Sequence, residues 1–175
     1  MLPPNLSRVR VLIVGAKGYA AVLLRTVLNA NGITRVCVIE EARRALELLC
    51  TENFDVVYVE EQVELDGQPF AMAALRTTAL QNPLAPIFEV SSGPRRRDVE
   101  RARDLGVNDI IARPFSPKTL ITKLAVALSA PRPFIASPQF FGPDRRSKAR
   151  AAPPARGADR RVRKPHKTKL PTLEV

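Results

Sequence analysis

Histidine and cysteine are almost absent from this chain. His166 is the only histidine, and the two cysteines, Cys37 and Cys50, lie in apolar, periodic surroundings without a Cys-x-x-Cys spacing. Structural thiols are therefore expected, rather than a metal site or a disulfide. No stretch approaches the roughly 18 consecutive apolar residues of a membrane span. The opening Met1-Leu2-Pro3-Pro4-Asn5 has no basic region leading into an apolar run, which speaks against a targeting segment. These absences make a cytoplasmic chain with no membrane insertion the expectation. The 175 residues suffice for one domain of the usual size, about 100–150 residues, plus an extension; no second core is expected.

Acidic residues are scarce where basic ones are dense. Residues 1–130 hold 16 Lys+Arg and 14 Asp+Glu, whereas residues 131–175 hold 12 and 3. A nearly neutral body thus carries a strongly basic tail, and such asymmetry points to an anionic partner of the tail: a phosphodiester, a nucleic acid or an acidic protein surface.

The body alternates apolar runs with helical periodicity. Val9 to Val14 has the continuous apolar character of a buried parallel strand, and Tyr19 to Leu28 has helical spacing that Asn31-Gly32 stops. Val36–Ile39, Val56–Val59, Ile87–Ser91 and Asp109–Ala112 read as the next strands. Helices are expected over Glu41–Cys50, over about Pro69–Leu80 after an Asp66-Gly67 turn, and from Pro94, at a first helical position, to about Leu105. Ser116 as cap and Pro117 in the first turn open the last helix. Five βα units predict an α/β fold, a doubly wound five-stranded parallel sheet with helices on both faces. The expected division is a leader over residues 1–7, a domain over 8–130 and a Pro/Arg-rich tail over 131–175. The prolines from Pro131 to Pro171 interrupt any helical run, so the tail is expected to lack a core and to order only on the domain or on a ligand. Phe134-Ile135 and Phe140-Phe141 are its apolar exception, suited equally to pinning the tail on the domain and to stacking a base.

That tail writes one phrase twice: Gly142-Pro143-Asp144-Arg145-Arg146 and Gly157-Ala158-Asp159-Arg160-Arg161. Each copy sets a carboxylate beside two guanidinium groups, the groups that read the two edges of guanine. Arg donates to O6 and N7, and Asp accepts from the N–H groups opposite. Two such clamps on one segment suit a ligand with two guanines and two phosphates. Phe141 and stacked guanidinium planes supply surfaces for the bases, Gly142 and Pro143 shape a presenting turn, and Arg150 adds a further cation. The competing reading is a solvated basic segment, which is the expectation for Lys164, His166, Lys167 and Lys169. Arg95, Arg96 and Arg97 at the start of the fourth helix, where the dipole disfavours cations, are expected to form a solvated face, with binding as the alternative. Gly15-Ala16-Lys17-Gly18 lacks the spacing of a phosphate loop.

The order of elements, Asp66-Gly67 after the third strand, and Gly106-Val107-Asn108-Asp109 running into Arg113-Pro114-Phe115-Ser116-Pro117 resemble the CheY-like receiver domain of bacterial response regulators, over about residues 8–129. In that family an acidic pair after the first strand binds Mg²⁺, an Asp ending the third strand accepts phosphate, a Ser or Thr ends the fourth, and a Lys before Pro follows the fifth. The resemblance puts the acidic pair on Gly15 and Ala16, followed by Lys17; the phosphoacceptor on Glu60; the hydroxyl on Ser91; the Lys on Arg113; and the family's switch aromatic on Ile110. It thereby implies a degenerate phosphosite with no metal and no catalysis. Glu60 is then either a built-in imitation of the phosphorylated state or a relic satisfied by Arg113.

The order receiver, Pro-aromatic connector and Arg cluster further resembles the alphaproteobacterial Cle proteins, CheY-like single receivers whose arginine-rich extension binds cyclic di-GMP and engages the flagellar motor. That resemblance implies cyclic di-GMP as ligand at Phe141, Gly142, Pro143, Asp144, Arg145, Arg146, Arg150, Asp159, Arg160 and Arg161. It also implies a protein target such as the motor switch and recruitment to the flagellated pole. One ligand with two guanines also allows two chains to share it as a ligand-mediated dimer. The alternatives that remain open are a nucleic-acid-binding arm and a ligand-independent protein-interaction module.

Overall fold

Residues 6–15, 19–76, 79–137 and 140–144 are described by the computed structural model. A turn of 3-10 helix, Leu6–Arg8, precedes β1 (Arg10–Val14), α1 (Tyr19–Ala30), β2 (Arg35–Ile39), α2 (Ala42–Thr51) and β3 (Val56–Glu60). There follow β4 (Glu64–Leu65), β5 (Gln68–Pro69), α3 (Phe70–Arg76), β6 (Ile87–Ser92), α4 (Arg96–Asp104), β7 (Asp109–Arg113) and α5 (Pro117–Ser129), then β8 (Phe134–Ser137) and β9 (Phe140–Pro143). The main sheet is parallel, five-stranded and ordered β2-β1-β3-β6-β7. This is the doubly wound arrangement that five βα units predict.

The period of two along each strand sorts the apolar residues to the two faces. Val11, Ile13, Val56, Tyr58, Phe88, Val90 and Ile111 face α1 and α5, meeting Leu24, Leu28, Leu120 and Leu124. Leu12, Val14, Val57, Val59, Ile87 and Ile110 face the other way, toward Leu49 of α2, Phe70 and Ala74 of α3 and Ala102 of α4. The inner strands β1 and β3 are buried on both sides, which is why they read as apolar runs, whereas the edge strand β2 is only half-buried.

Local signals set the ends of several elements. The Ser116 hydroxyl accepts from the Thr119 N–H at 3.1 Å, and Pro117 takes the first helical position of α5, as its sequence predicts. Asp66 and Gly67 both have positive φ, 52° and 76°. That pair of conformations is what a two-residue hairpin turn between short antiparallel strands demands, and β4 and β5 flank it.

Three expectations are corrected. Pro94 lies outside α4 rather than at its first position; the N-cap is Arg95, whose N–H is bound by the Asp98 carboxylate at 2.8 Å. The third helix starts at Phe70, because Gln68 and Pro69 pair with Glu64 and Leu65 in the small hairpin. The fourth strand extends to Ser92 and the fifth to Arg113, where their ladder continues.

Beyond Ala130 the aromatic patch takes the first of its two expected roles and pins the start of the tail on the domain. β8 and β9 form an antiparallel hairpin, with the Phe134 and Phe141 rings tilted against each other at 5.3 Å and packed on the α2/α3/α4 side of the core. Gly142 is buried so closely that a Cβ there would come within 2.7 Å of the Gly106 Cα. Prolines at 131, 133 and 143 exclude a helix without excluding a two-stranded ribbon, since Pro is tolerated at strand ends and on edges. The expectation of an unpacked segment beyond Asp144 lies outside the described residues.

Candidate functional site

The C-terminal ends of the strands in a doubly wound sheet are where loops converge and ligands bind. Here β3 ends on Glu60 and β7 on Arg113, with β6 between them. Arg113 Nη1 donates to Glu60 Oε1 at 3.2 Å, and the two side chains are 30% and 20% exposed. The pair is thus partly withdrawn from solvent, where a charge-assisted hydrogen bond is stronger than at an open surface. The Arg113 Nε is buried with no hydrogen-bond partner among the described residues.

Ser91 does not join that pair. Its hydroxyl is fully buried and makes no hydrogen bond among the described residues. Strand alternation places Ser91 on the face that carries Ile87 and Glu89. Ile110, on which the resemblance puts the switch aromatic, is buried in the same second core. Of the three residues expected at one site, the fold therefore brings two together.

The Mg²⁺ that such a site implies does not fit the residues present. Gly15 offers no carboxylate, and Val63 leans so far over it that a Cβ at Gly15 would overlap the Val63 Cγ2. Gly15 adopts φ 76°, which a side chain would strain. The Glu60 carboxylate is already held by Arg113, and Mg²⁺ wants near-octahedral oxygen with several waters. Among the described residues no three of His, Cys, Asp and Glu gather in one place. Ala16 and Lys17 lie outside the described residues.

Glu89 is a buried charge, away from the Glu60–Arg113 pair, that the sequence reading overlooked. It is 3% exposed in the middle of β6, and Arg101 of α4 donates to it at 3.1 Å. Burial pushes its carboxyl above the usual glutamate range, the Arg101 guanidinium pulls it back, and the Glu61 and Asp98 carboxylates push it up further. The signal was visible: a charge inside an otherwise apolar four-residue run, Ile87-Phe88-Glu89-Val90, demands a buried partner.

The tail residues divide at the hairpin. Phe141 is half-buried and faces Phe134, Gly142 and Pro143 are buried, and the Asp144 N–H donates to the Pro133 carbonyl at 2.7 Å. Phe141 thus packs against the domain. Arg145, Arg146, Arg150, Asp159, Arg160 and Arg161 lie outside the described residues. Arg96 pairs with Glu100 at 2.8 Å and Arg97 approaches Asp98 at 3.8 Å, the solvated helix face expected for that cluster. Cys37 and Cys50 are free thiols, both partly buried. No helix among the described residues is long and apolar enough to cross a membrane.

Comparison with known proteins bears on this frame. The family model described as the response regulator receiver domain matches residues 11–125. The regulatory protein VirG of Agrobacterium fabrum is 30% identical over 115 residues, which span 65% of this chain and 42% of that protein. The chain therefore covers less than half the length of that relative. Three solved structures share the fold: the Francisella response regulator 1452 receiver domain (TM-score 0.57, 22% identity, 69% of this chain and 97% of that one), the Vibrio cholerae chemotaxis protein CheY4 (0.57, 20%, 66% and 95%), and a putative response regulator from Chloroflexus aurantiacus (0.59, 18%, 70% and 99%). By its sheet order and by the family match across residues 11–125, well over half of its length, the chain belongs to the response regulator receiver family, a family of signal-transduction modules.

Proposed function

We propose that this protein is a receiver-type adaptor that works without phosphorylation: its arginine-rich tail binds cyclic di-GMP and, so loaded, engages a protein target such as the flagellar motor switch. The observation that carries the first half is the Glu60–Arg113 pair, 3.2 Å apart at the C-terminal ends of β3 and β7. A standing carboxylate–guanidinium pair occupies the place where a receiver makes a transient phosphoryl contact. Gly15 offers no carboxylate, and among the described residues no acidic cluster gathers to hold the divalent cation that receiver phosphotransfer requires. The chain is accordingly a non-enzymatic module.

The repeated Gly-x-Asp-Arg-Arg phrase supports the second half. The first copy begins inside β9, so a rigid two-stranded ribbon delivers Asp144 at the edge of the domain, immediately ahead of Arg145 and Arg146. Holding one end of a clamp on a rigid element lowers the ordering cost of the rest. Ligand recognition by the remainder is coupled folding, in which binding must offset the entropy of ordering a polar, proline-rich segment. Recruitment of the loaded chain to the flagellated pole, in chemotaxis and motility, is the cellular consequence this reading proposes.

Calorimetric titration with cyclic di-GMP tests it, with GTP and a short DNA duplex as controls, run in chelator and again with Mg²⁺ and acetyl phosphate. Saturable binding of cyclic di-GMP alone, equal in both buffers, is the expected result. A Mg²⁺-dependent, acid-labile phosphoprotein would overturn the first half. Equal binding of the duplex with a steep salt dependence would replace the second half with an electrostatic nucleic-acid arm.

A further inference from the structure

The hairpin does more than extend the fold, because it walls a cleft at the end of the sheet opposite the Glu60–Arg113 pair. The cleft runs along the last turns of α5, past the N-terminal ends of β6 and β7, to the connector that leads into β8. Its walls are largely apolar: Leu84, Val126, Pro131 and Phe134. Leu84 and Val126 are 57% and 58% exposed, and they are two of the four large apolar side chains that the described residues leave in solvent. Isolated exposed apolar residues need no explanation, but two that flank one concave surface mark an interaction site.

Charge decides what fits. Lys123, on the floor, is spoken for: it pairs with Asp109 at 2.9 Å and donates to the Ile110 carbonyl at 2.6 Å. Arg132, on the rim, is exposed and meets no carboxylate among the described residues. A small apolar cleft beside a helix, edged by a cation that no described carboxylate answers, suits one or two apolar side chains from the ridge of an amphipathic helix whose flank is acidic. A second copy of this chain, with net charge +11, repels its twin and brings chiefly cations. A nucleic acid has no apolar ridge to cover Leu84 and Val126.

We propose that this cleft is the docking surface for the protein target, and that its occupant is an amphipathic helix with an acidic edge seated against Arg132. The assignment rests on the adaptor reading and adds to it where the target binds. It also ties docking to the tail through short covalent and hydrogen-bonded links. Pro133 lies between the cleft residues Arg132 and Phe134, and its carbonyl accepts from the Asp144 N–H at 2.7 Å, so the chain that begins the first clamp is fastened to the cleft wall.

The test uses the full chain and two labelled helical peptides of about 16 residues, four to five turns. Both carry leucines at i, i+3, i+4 and i+7, one with glutamates on the flank and the other with lysines. Fluorescence anisotropy is expected to show saturable binding of the glutamate peptide alone. Leu84→Glu and Val126→Glu, at exposed positions that the fold tolerates, should each weaken it by at least about tenfold. Arg132→Glu should reverse the preference toward the lysine peptide. Calorimetry with cyclic di-GMP on the same proteins keeps the two proposals apart. Variants that lose the peptide and keep the nucleotide support the cleft, and a wild type that binds the peptide in this pattern but no cyclic di-GMP leaves the cleft standing while the ligand reading falls. The cleft assignment is overturned if the wild type binds neither peptide, if both bind equally, if the three substitutions leave binding unchanged, or if they abolish a self-association that would make a second copy the occupant.

Discussion

At the C-terminal end of the sheet Arg113 answers Glu60, and midway along β6 Arg101 answers Glu89, whereas at the N-terminal end Arg132 meets no carboxylate among the described residues and Leu84 and Val126 stand in solvent. The first end is the one where a receiver keeps its chemistry, and here its charges are closed on one another, with Val63 leaning over Gly15. The second end carries the cleft beside the β8–β9 hairpin. The contrast teaches that one scaffold holds a closed carboxylate–guanidinium pair at one end of its sheet and leaves large apolar side chains in solvent at the other.

Breaking the more deeply buried of the two pairs, Glu89–Arg101, should cost the most. Arg101→Ala strands the Glu89 carboxylate in the core. Removing one partner of a buried pair typically costs about 3–5 kcal/mol, and because Arg101 is itself 45% exposed we expect the low end, about 3 kcal/mol near neutral pH in denaturant unfolding. The pH dependence sharpens this. In the folded protein the Glu89 carboxyl titrates above its unfolded value, so the native state holds the proton to higher pH than the unfolded chain. Stability from this group is therefore complete in acid and declines as pH rises through the folded value. Arg101→Ala should push the decline to higher pH, and Glu89→Gln should flatten it; a stability that rises with pH over that window in the wild type, and is unaltered by Glu89→Gln, contradicts the assignment.

The hairpin at the other end should respond locally. Gly142→Val drives side-chain carbons into the Gly106 backbone, with a Cβ already within 2.7 Å of the Gly106 Cα. Overpacking of this kind costs about 1–3 kcal/mol, and amide protection over residues 134–143 should fall while protection in β1 and β3 stays. Uniform loss across the sheet would show that the hairpin is integral to the domain's cooperative unit. Arg113→Ala, at a pair only partly withdrawn from solvent, should cost about 1 kcal/mol. Smallest of all, Arg43→Ala, which removes an exposed pair with Asp66, should stay within about 0.5 kcal/mol.

Much of the sheet was legible because its inner strands are buried on both faces, so Val11 to Val14 or Val56 to Val59 has no competing explanation. The last helix was legible from Ser116 and Pro117, whose chemistry is local. The hairpin was not, because its strands hold four residues each and its stability comes from Phe134, Phe141 and Gly142 meeting Gly106 and the second core, contacts far apart in sequence. Pro94 was misplaced for a related reason: Arg95 with Asp98 outcompeted it for the helix start. At the site, Glu60 with Arg113 could be anticipated from the resemblance, but the separation of Ser91 from them depends on strand alternation. The Glu89–Arg101 pair required knowing that α4 lies over β6.

Asp144 offers the most direct test of the central claim, that the tail reads guanine rather than merely attracting phosphate. Cyclic di-GMP is titrated at fixed salt into the wild type, Asp144→Asn and Arg145→Lys, with Asp159→Asn and Arg160→Lys for the second copy. Reading of guanine edges predicts that Asp144→Asn and Arg145→Lys each weaken binding by about 1–3 kcal/mol, through loss of a charge-assisted acceptor and of planar bidentate geometry. Equal or tighter binding by both Asp variants would show a basic arm that only gains from losing a repelling carboxylate, and would contradict the account.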